Sequence, residues 1–271
     1  MNATTPTLFV EGPAFWAPQL PGWSIARAAF RGEGAVVDPP ARRPAPQVLA
    51  AAERRRAPDT VALALEVATA AIAASGRNAT DLPCVFASAH GDLAINDYMC
   101  ATLASDPTLL SPTRFHNSVH NAAVGYWTIG TGCQQSSSSL AAFDQSFAGA
   151  LLEAAAQCAI EQRAVLLVGY DVQAVGPLAS ATTSEGMLAV ALVLAPERSA
   201  TAVAALDWSL ATAATGNTVP RSAAARALAG NAMADALPFF EALATDQPQS
   251  LALGVSPALS LQIHLCPSPL Q

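Results

Sequence analysis

The feature that most constrains this chain is a regular alternation of helical and strand-like apolar segments between residues 59 and 170. The long segment Asp59–Ser75 places apolar side chains at helical spacing and stops before Gly76. Three short apolar runs have the pattern of strands buried on both faces, and they are Cys84–Ser88, Ala164–Tyr170 and Leu188–Leu194. Such strands need helices on both sides of their sheet, so the alternation predicts an α/β layer fold with a central sheet.

The rest of the chain is assigned from the same signals and from Gly and Pro breaks. We predict strands at Thr7–Val10, Trp23–Phe30, Ser137–Phe143 and Thr201–Thr212, with closing strands at Ser250–Leu253 and Leu259–Cys266. We predict helices at Asp92–Ala104 and Ser146–Ile160, the latter with Ser146 as N-cap, and one or two short helices within Arg221–Leu243. Because helix becomes scarce late in the chain, we expect two parts of one compact unit, residues 1–198 and a shorter part, 199–271.

Composition narrows the class of ligand. Hydrophobic residues make up 52% of the chain and charged residues only 12%, which favours a large core and a surface partly covered by a partner protein. The net charge of −7 argues against nucleic acid as a ligand. The basic run Arg54–Arg56 is expected to be a solvated face. All thirteen basic residues are Arg, so a mechanism that needs a catalytic Lys is excluded.

Cysteine usage and the apolar runs indicate the compartment. The five cysteines are widely spaced and form no C-x-x-C pair, which argues against a disulfide framework or a zinc site. The N-terminal segment lacks the pattern of a signal peptide, and no apolar run is long enough to span a bilayer. We therefore predict a cytoplasmic protein with no membrane span, no metal and no cofactor.

Four segments resemble one known family, the β-ketoacyl synthases. They are SPTRFHNSVHNAAVGYWTIGTG (111–132), SLAAFDQSFAGALLEAA (139–155), AVLLVGYD (164–171) and SEGMLAVALVLAPE (184–197). Their order and spacing are similar to those of the family, and the resemblance extends loosely over residues 50–200. Within the family, the chain looks like the short synthase-like proteins of aryl polyene and xanthomonadin-type pigment pathways.

The resemblance implies a fold. The family has a thiolase-like architecture, in which two similar α/β halves stack as α-β-α-β-α layers. For this chain it implies the same layered fold with a reduced C-terminal half, in agreement with the alternation described above.

The resemblance also shows which chemistry is missing. A condensing enzyme needs a Cys thiolate at a helix N-terminus, where the helix dipole lowers the thiol pKa, and two His side chains that stabilise developing negative charge. Here the nucleophile position falls on Asp144, or on Gln145 if the register shifts by one residue. The chain's four histidines are His90, His116, His120 and His264. None lies between residues 200 and 260, where the family's pair is expected, so we predict no catalytic residue for condensation.

The resemblance therefore points to a partner of an active ketosynthase, in the manner of a chain-length factor. The acyl carrier protein is expected to dock mainly on that ketosynthase. Side chains around 115–127 and 143–147 would line the interface or shape the partner's acyl tunnel; they are Phe115, His116, Asn117, His120, Asn121, Tyr126, Trp127, Phe143 and Phe147.

Other possibilities remain open at this stage. His116 and His120 are four residues apart, which is metal-ligand spacing on a helix, but no acidic residue is nearby in sequence, and hydrogen bonds to helix ends or across an interface are favoured. A reduced activity, such as malonyl decarboxylation or acyl-thioester hydrolysis, would use Asp144, Gln145 or Cys133. A homodimeric scaffold with no acyl role is the third possibility.

Overall fold

A computed structural model describes residues 5–212 and 217–268. In this part of the chain nine strands form one sheet, in the order β4-β3-β5-β6-β1-β7-β9-β8, with β2 paired to β1. The strands are β1 (Leu8–Ala17), β2 (Leu20–Pro21), β3 (Cys84–Ala87), β4 (Ser137–Leu140), β5 (Val165–Val172), β6 (Met187–Ala195), β7 (Ala202–Thr212), β8 (Gln249–Ser256) and β9 (Leu259–Pro267).

Helices connect these strands and cover the sheet. They are α1 (Trp23–Phe30), α2 (Ala51–Arg56), α3 (Asp59–Ser75), α4 (Leu93–Ser105), α5 (Pro112–Asn117), α6 (Ala122–Thr131), α7 (Ser146–Glu161), α8 (Ala223–Arg226) and α9 (Leu237–Ala244). Short 3₁₀ turns at Phe143–Gln145 and Ala234–Ala236 belong to the site described below. Within the described ranges, no helix is long and apolar enough to cross a membrane.

The sheet separates two hydrophobic clusters. On one face α3 and α6 bury side chains such as Leu63 and Trp127 against the strands. On the other face α1, α7 and α9 pack between the central strands and the inner side of β7, β8 and β9, where Leu261 and Ile263 join the cluster. The predicted α/β layer fold is confirmed. Among the described residues after β6 there are three antiparallel strands and two short helices.

Three neighbouring strands place the candidate site. β4, β3 and β5 run parallel, with Cys84 opposite both Ser137 and Leu166. Their carboxyl ends therefore lie at the same edge of the sheet, the usual location of ligand sites in open α/β sheets. The boundary expected near residue 198 lies in the connection from β6 to β7, and these two strands lie on either side of β1 in the same sheet.

Sequence and structure agree closely for the longest helix and differ at several other places. α3 spans Asp59–Ser75 as predicted, and Gly76 ends it in the left-handed conformation, with φ of 69°. The strand predicted at Trp23–Phe30 is wrong: this segment is α1, and its buried residues Ala26, Ala29 and Phe30 recur at helical spacing.

The strand predicted at Thr7–Val10 is longer in the structure, since β1 continues through Gly12 to Ala17. Two further differences lie around residue 143. The strand predicted to reach Phe143 ends at Leu140, because the chain turns before the next helix. Ser146 is the first residue of α7 and not its N-cap, which is Gln145. The Ser146 hydroxyl donates to the carbonyl of Phe143 at 2.7 Å and accepts from the N–H of Ala142 at 3.0 Å. Ser146 thus closes the turn instead of capping the helix.

Candidate functional site

The turn between β4 and α7, residues 141–145, forms a sharp elbow at the carboxyl edge of the sheet. Phe143 stands at its apex with φ of 48°, in the left-handed region that non-glycine residues rarely adopt. Such a conformation costs roughly 1–2 kcal/mol. The Phe143 side chain is nevertheless 73% exposed, so burial of the ring does not compensate this strain. Backbone strain of this kind is typical of functional sites.

The two residues proposed from the sequence for the nucleophile position follow this apex. Asp144 is exposed and Gln145 is half-buried at the N-cap position of α7. Strained strand-to-helix turns present the nucleophile at the strained residue in enzymes that use such an elbow. By that criterion the nucleophile position corresponds to Phe143, one residue before Asp144. In all three registers the residue is not Cys.

A histidine from the neighbouring loop contacts the elbow. The ring of His90, in the loop after β3, lies 6.2 Å from the ring of Phe143 at an interplanar angle of 65°. His90 Nε2 is also 2.5 Å from the hydroxyl of Thr182. Burial lowers the pKa of His90, and the nearby Asp144 carboxylate opposes that shift. A partly buried imidazole with a lowered pKa therefore lies beside the apex.

Behind His90, a buried carboxylate organises the loop after β3. Asp171, at the end of β5, accepts hydrogen bonds from the Ser88 hydroxyl at 2.7 Å and the N–H of Ala89 at 2.9 Å. Ser88 in turn accepts from the N–H of Gly91 at 2.9 Å. Burial raises the pKa of Asp171 to about 6, and these hydrogen bonds oppose the rise. The network fixes the loop that carries His90.

His120 connects the same loop to the segment before α6. Its Nε2 lies 2.8 Å from the carbonyl of Ser88, and its Nδ1 lies 3.0 Å from the hydroxyl of Ser139 on β4. Both ring nitrogens are thus engaged within the protein. In the described ranges, no three His, Cys, Asp or Glu side chains are grouped as metal ligands.

Asp235 lies against the first turn of α7. Its Oδ2 accepts from the N–H of Ala148 at 3.0 Å, while its Oδ1 is buried without a hydrogen-bond partner. Burial raises the pKa of Asp235 to about 8; the N–H groups of Ala148 and Phe147 oppose the rise, and the charge of Asp171 adds to it. The carboxyl is therefore mainly protonated at neutral pH, and it accepts from the N–H of Ala148 in the first turn of α7.

Several residues singled out from the sequence lie together on the outer surface of α5 and α6. Phe115 is exposed, and His116 packs edge-on against Tyr126 with ring centroids 6.2 Å apart. His116, Asn121 and Tyr126 line a cleft of about 510 Å³ between α2, α5 and α6. Asn121 is at the N-cap position of α6, but its side chain does not cap the helix.

Three other residues singled out from the sequence do not lie on this outer surface. Trp127 is buried in the core against Phe86, and Phe147 is fully buried against Phe239 and Phe240. Asn117 is buried in the wall of a second cleft.

Cys133, the thiol considered for a reduced activity, is buried near the amino end of β4, whereas the elbow follows the carboxyl end of that strand. Its Sγ lies 3.5 Å from the carbonyl of Leu82. A buried thiol at that end of the strand is not placed to act at the elbow.

Five residues of the site were not identified from the sequence: Ser88, His90, Asp171, Thr182 and Asp235. A partial signal existed, since Ser88 is the last residue of one apolar run and Asp171 directly follows another, where the ends of parallel strands converge. Thr182 and Asp235 lie in irregular segments, and their sequence context gives no comparable signal.

Comparisons with known proteins show the family and the fold of the chain. The family model for the β-ketoacyl synthase N-terminal domain matches residues 31–255, so the chain belongs to that family. A comparison with curated protein sequences found no match.

Solved structures establish the fold. A structure described as the ketosynthase ApeO in complex with its chain length factor ApeC, from Xenorhabdus doucetiae, aligns with a TM-score of 0.71 at 23% identity, over 95% of this chain and 98% of the other. A β-ketoacyl synthase from Burkholderia phymatum aligns with a TM-score of 0.69 at 11% identity, over 98% and 100% of the two chains. The ishigamide ketosynthase/chain length factor aligns with a TM-score of 0.72 at 14% identity, over 96% and 99%. The thiolase-like fold is thereby confirmed.

Proposed function

We propose that this chain is a non-catalytic ketosynthase-like subunit that pairs with an active ketosynthase and limits the length of its acyl product. One observation carries the proposal: the elbow of the family fold is retained, but its apex is Phe143, an exposed aromatic residue that cannot form a thioester. The product class we propose is an aryl polyene, made on an acyl carrier protein in the cytoplasm. The carrier would dock mainly on the ketosynthase.

The open edge of the sheet supports the pairing. β4 lies at one end of the strand order, with β3 on its inner side. The opposite edge strand, β8, is partly covered, since the N–H of Thr218 donates to the carbonyl of Ala252 at 2.8 Å. An open edge is a template for pairing with another chain.

The register of β4 identifies the outward groups. On the side of β4 that faces β3, the carbonyls of Ser136 and Leu140 accept hydrogen bonds from the N–H groups of Cys84 and Ser88. Because inward hydrogen bonds of a parallel ladder fall on alternate residues, the N–H and carbonyl groups of Ser137 and Ser139 point outward. A partner strand would bond to these groups.

Apolar side chains near this edge support the same interface. Phe115 and Val119 are exposed beside α6, and Ile129 on α6 is 79% exposed. Grouped exposed apolar residues on a soluble protein mark interaction sites. With Phe143 exposed at the carboxyl end of β4, this surface would bury much of its apolar area against a ketosynthase of similar shape.

The mechanism we propose is steric. Phe143 would project from the elbow toward the partner's acyl tunnel, and its strained backbone together with the ring of His90 would hold it there. A growing chain that reached the ring would stop elongating. Asp144 and Gln145 would have no role in bond formation.

The test is reconstitution of this chain with a ketosynthase, a carrier protein and malonyl-thioester, followed by mass analysis of the products. Phe143→Ala should shift the products to longer chains, and Phe143→Trp to shorter ones. Ile160→Ala is the matched control, because Ile160 is 81% exposed at the far end of α7. Unchanged product lengths in both Phe143 variants would contradict the steric role. Decarboxylation or hydrolysis of acyl thioesters by this chain alone would contradict its assignment as non-catalytic.

A further inference from the structure

The connection between β5 and β6 is longer than the sheet requires. These two strands are antiparallel neighbours, and such strands are usually joined by roughly two to five residues. Here the chain runs from residue 173 to residue 186 before β6 begins at Met187, and we call this segment the β5–β6 loop. A long connection within a compact domain is usually functional.

Hydrogen bonds close the neck of the β5–β6 loop. The N–H of Ala174 donates to the carbonyl of Ser184 at 2.7 Å, and the Ser184 hydroxyl donates to the carbonyl of Val172 at 2.8 Å. The same hydroxyl accepts from the N–H of Ala232 at 3.2 Å, which ties the neck to the C-terminal part of the chain. The two ends of the loop are therefore fixed close together, as in an Ω-loop.

One limb of the β5–β6 loop is fixed against α4. Gly176 has φ of 68° and ψ of −165°, a combination that is essentially restricted to glycine. A Cβ atom at this position would overlap with the carboxylate of Asp97 on α4. Gly176 therefore allows the loop to approach α4 more closely than a residue with a side chain could.

The other limb of the loop returns to the elbow through Thr182. Residues 176–181 are exposed, whereas Thr182 is half-buried and its hydroxyl lies 2.5 Å from Nε2 of His90. The backbone of His90 is already held, because its N–H donates to the carboxylate of Asp171. Within the described ranges the His90 ring makes one hydrogen bond, and Thr182 is its partner. The rotation of that ring is therefore controlled by Thr182.

The orientation of the His90 ring matters at the apex of the elbow. It meets the Phe143 ring at an interplanar angle of 65°, an edge-to-face arrangement. Because this contact depends on the angle between the rings, a rotated imidazole would lose it. Phe143 has φ of 48° and a mostly exposed side chain, so the contact with His90 opposes relaxation of the strained backbone.

We propose that Thr182 is a positioning residue for the control of product length. Its hydroxyl orients the His90 ring, and the oriented ring keeps Phe143 in the strained conformation that projects its side chain from the elbow. Without that hydrogen bond the His90 ring rotates, Phe143 relaxes, and a growing acyl chain has more room. This inference rests on the steric function proposed above and adds a residue that lies outside the elbow and touches no acyl chain.

Product analysis in the reconstituted system tests the effect on length. Thr182→Val keeps the branched shape but removes the hydroxyl, so the ratio of longer products to parental ones should rise about two- to tenfold, the usual effect of losing one hydrogen bond. Thr182→Ser keeps the hydroxyl and should give the parental products. Ser180→Ala is the matched control and should also give the parental products, because the Ser180 hydroxyl lies in the same loop but donates to the carbonyl of Pro177 at 2.7 Å.

A double variant shows whether Thr182 acts through Phe143. Phe143→Ala already removes the blocking ring, so the addition of Thr182→Val should lengthen the products no further. A general loosening of the fold by Thr182→Val would instead add to the effect of Phe143→Ala, and this result would overturn the positioning role.

Nitrogen NMR of the full chain, labelled with isotope-enriched histidine, provides a readout that needs no partner protein. The chain has four histidines, and the His90 signals are identified by their loss in His90→Gln. Thr182→Val should shift the Nε2 resonance of His90, whereas Ser180→Ala should leave it in place. If Thr182→Val does not fold, Thr182→Ala provides the same measurements.

The inference and the proposed function fail in different ways. Longer products in Phe143→Ala together with parental products in Thr182→Val would overturn the inference alone. Parental products in Phe143→Ala would contradict the steric function itself, and the inference with it. An unshifted His90 resonance in Thr182→Val would also overturn the inference, because Thr182 would then not orient the ring.

Discussion

The ring of His90 packs edge-on against the ring of Phe143, with centroids 6.2 Å apart, and so joins the loop after β3 to the elbow after β4. The hydroxyl of Thr182 restrains His90 from its other side. The apex of the elbow is therefore supported by an aromatic contact and a hydrogen bond, although no acyl group can be attached to it.

Phe143 and Phe147 are four residues apart but should differ sharply in their effect on stability. Phe147 is fully buried against Phe239 and Phe240, so Phe147→Ala should lower the free energy of unfolding by about 3–5 kcal/mol. Phe143 is mostly exposed, so Phe143→Ala should cost less than about 1 kcal/mol. Urea unfolding followed by circular dichroism measures both, and equal losses would place Phe143 in the core.

Asp235 should make stability depend on pH. Its folded pKa of about 8 lies above the ordinary Asp value, so the protonated carboxyl contributes stability that is complete below about pH 4 and is lost as the pH rises through 8. Between about pH 6.5 and 8 the unfolded chain has already lost this proton. The free energy of unfolding should therefore fall with rising pH, by up to about 1.4 kcal/mol per unit.

Asp235→Asn should flatten this slope, because the amide does not titrate. Asp171 has a folded pKa of about 6, so its own contribution is mostly lost below that window. Asp171→Asn should therefore keep the slope but move it to lower pH, because the charge of Asp171 adds to the raised pKa of Asp235. Urea melts at several pH values measure both variants. A slope that persists in Asp235→Asn would show that another group causes it.

The ion pair between Arg77 and Glu11 should be sensitive to loss of one partner. Glu11 is fully buried, and Arg77 binds both of its carboxylate oxygens, with Nη2 at 2.9 Å from Oε1. Arg77→Met leaves a buried charge without its partner and should cost about 3–5 kcal/mol. The double variant with Glu11→Gln should recover part of that loss. Arg31→Met removes an exposed pair with Asp246 and should cost much less, as thermal melts can measure.

The sequence predicts the scaffold better than the site. Asp59–Ser75 is assigned correctly because apolar spacing and Gly76 both act locally, and the apolar runs at Cys84 and Ala164 identify central strands. Trp23–Phe30 is mistaken for a strand because a short apolar run has too few turns to reveal its period.

The site depends on contacts that are distant in sequence. Ser88 and Asp171 meet because β3 and β5 are parallel neighbours, a pairing that their own segments do not specify. Asp235 reaches the start of α7 only through the packing of the C-terminal half. The apex at Phe143 depends on a single φ angle, which apolar periodicity does not register.

The central claim is that this chain pairs with an active ketosynthase through the outer edge of β4, and co-purification tests it most directly. The tagged chain would be co-expressed with ketosynthases encoded near it and the complex weighed by native mass spectrometry. Ser137→Pro removes an outward N–H that a partner strand would need, and Ser137→Ala keeps it. We predict an equimolar complex for the parent and for Ser137→Ala, lost in Ser137→Pro. A stable self-dimer that captures no ketosynthase would contradict the account and favour a homodimeric scaffold.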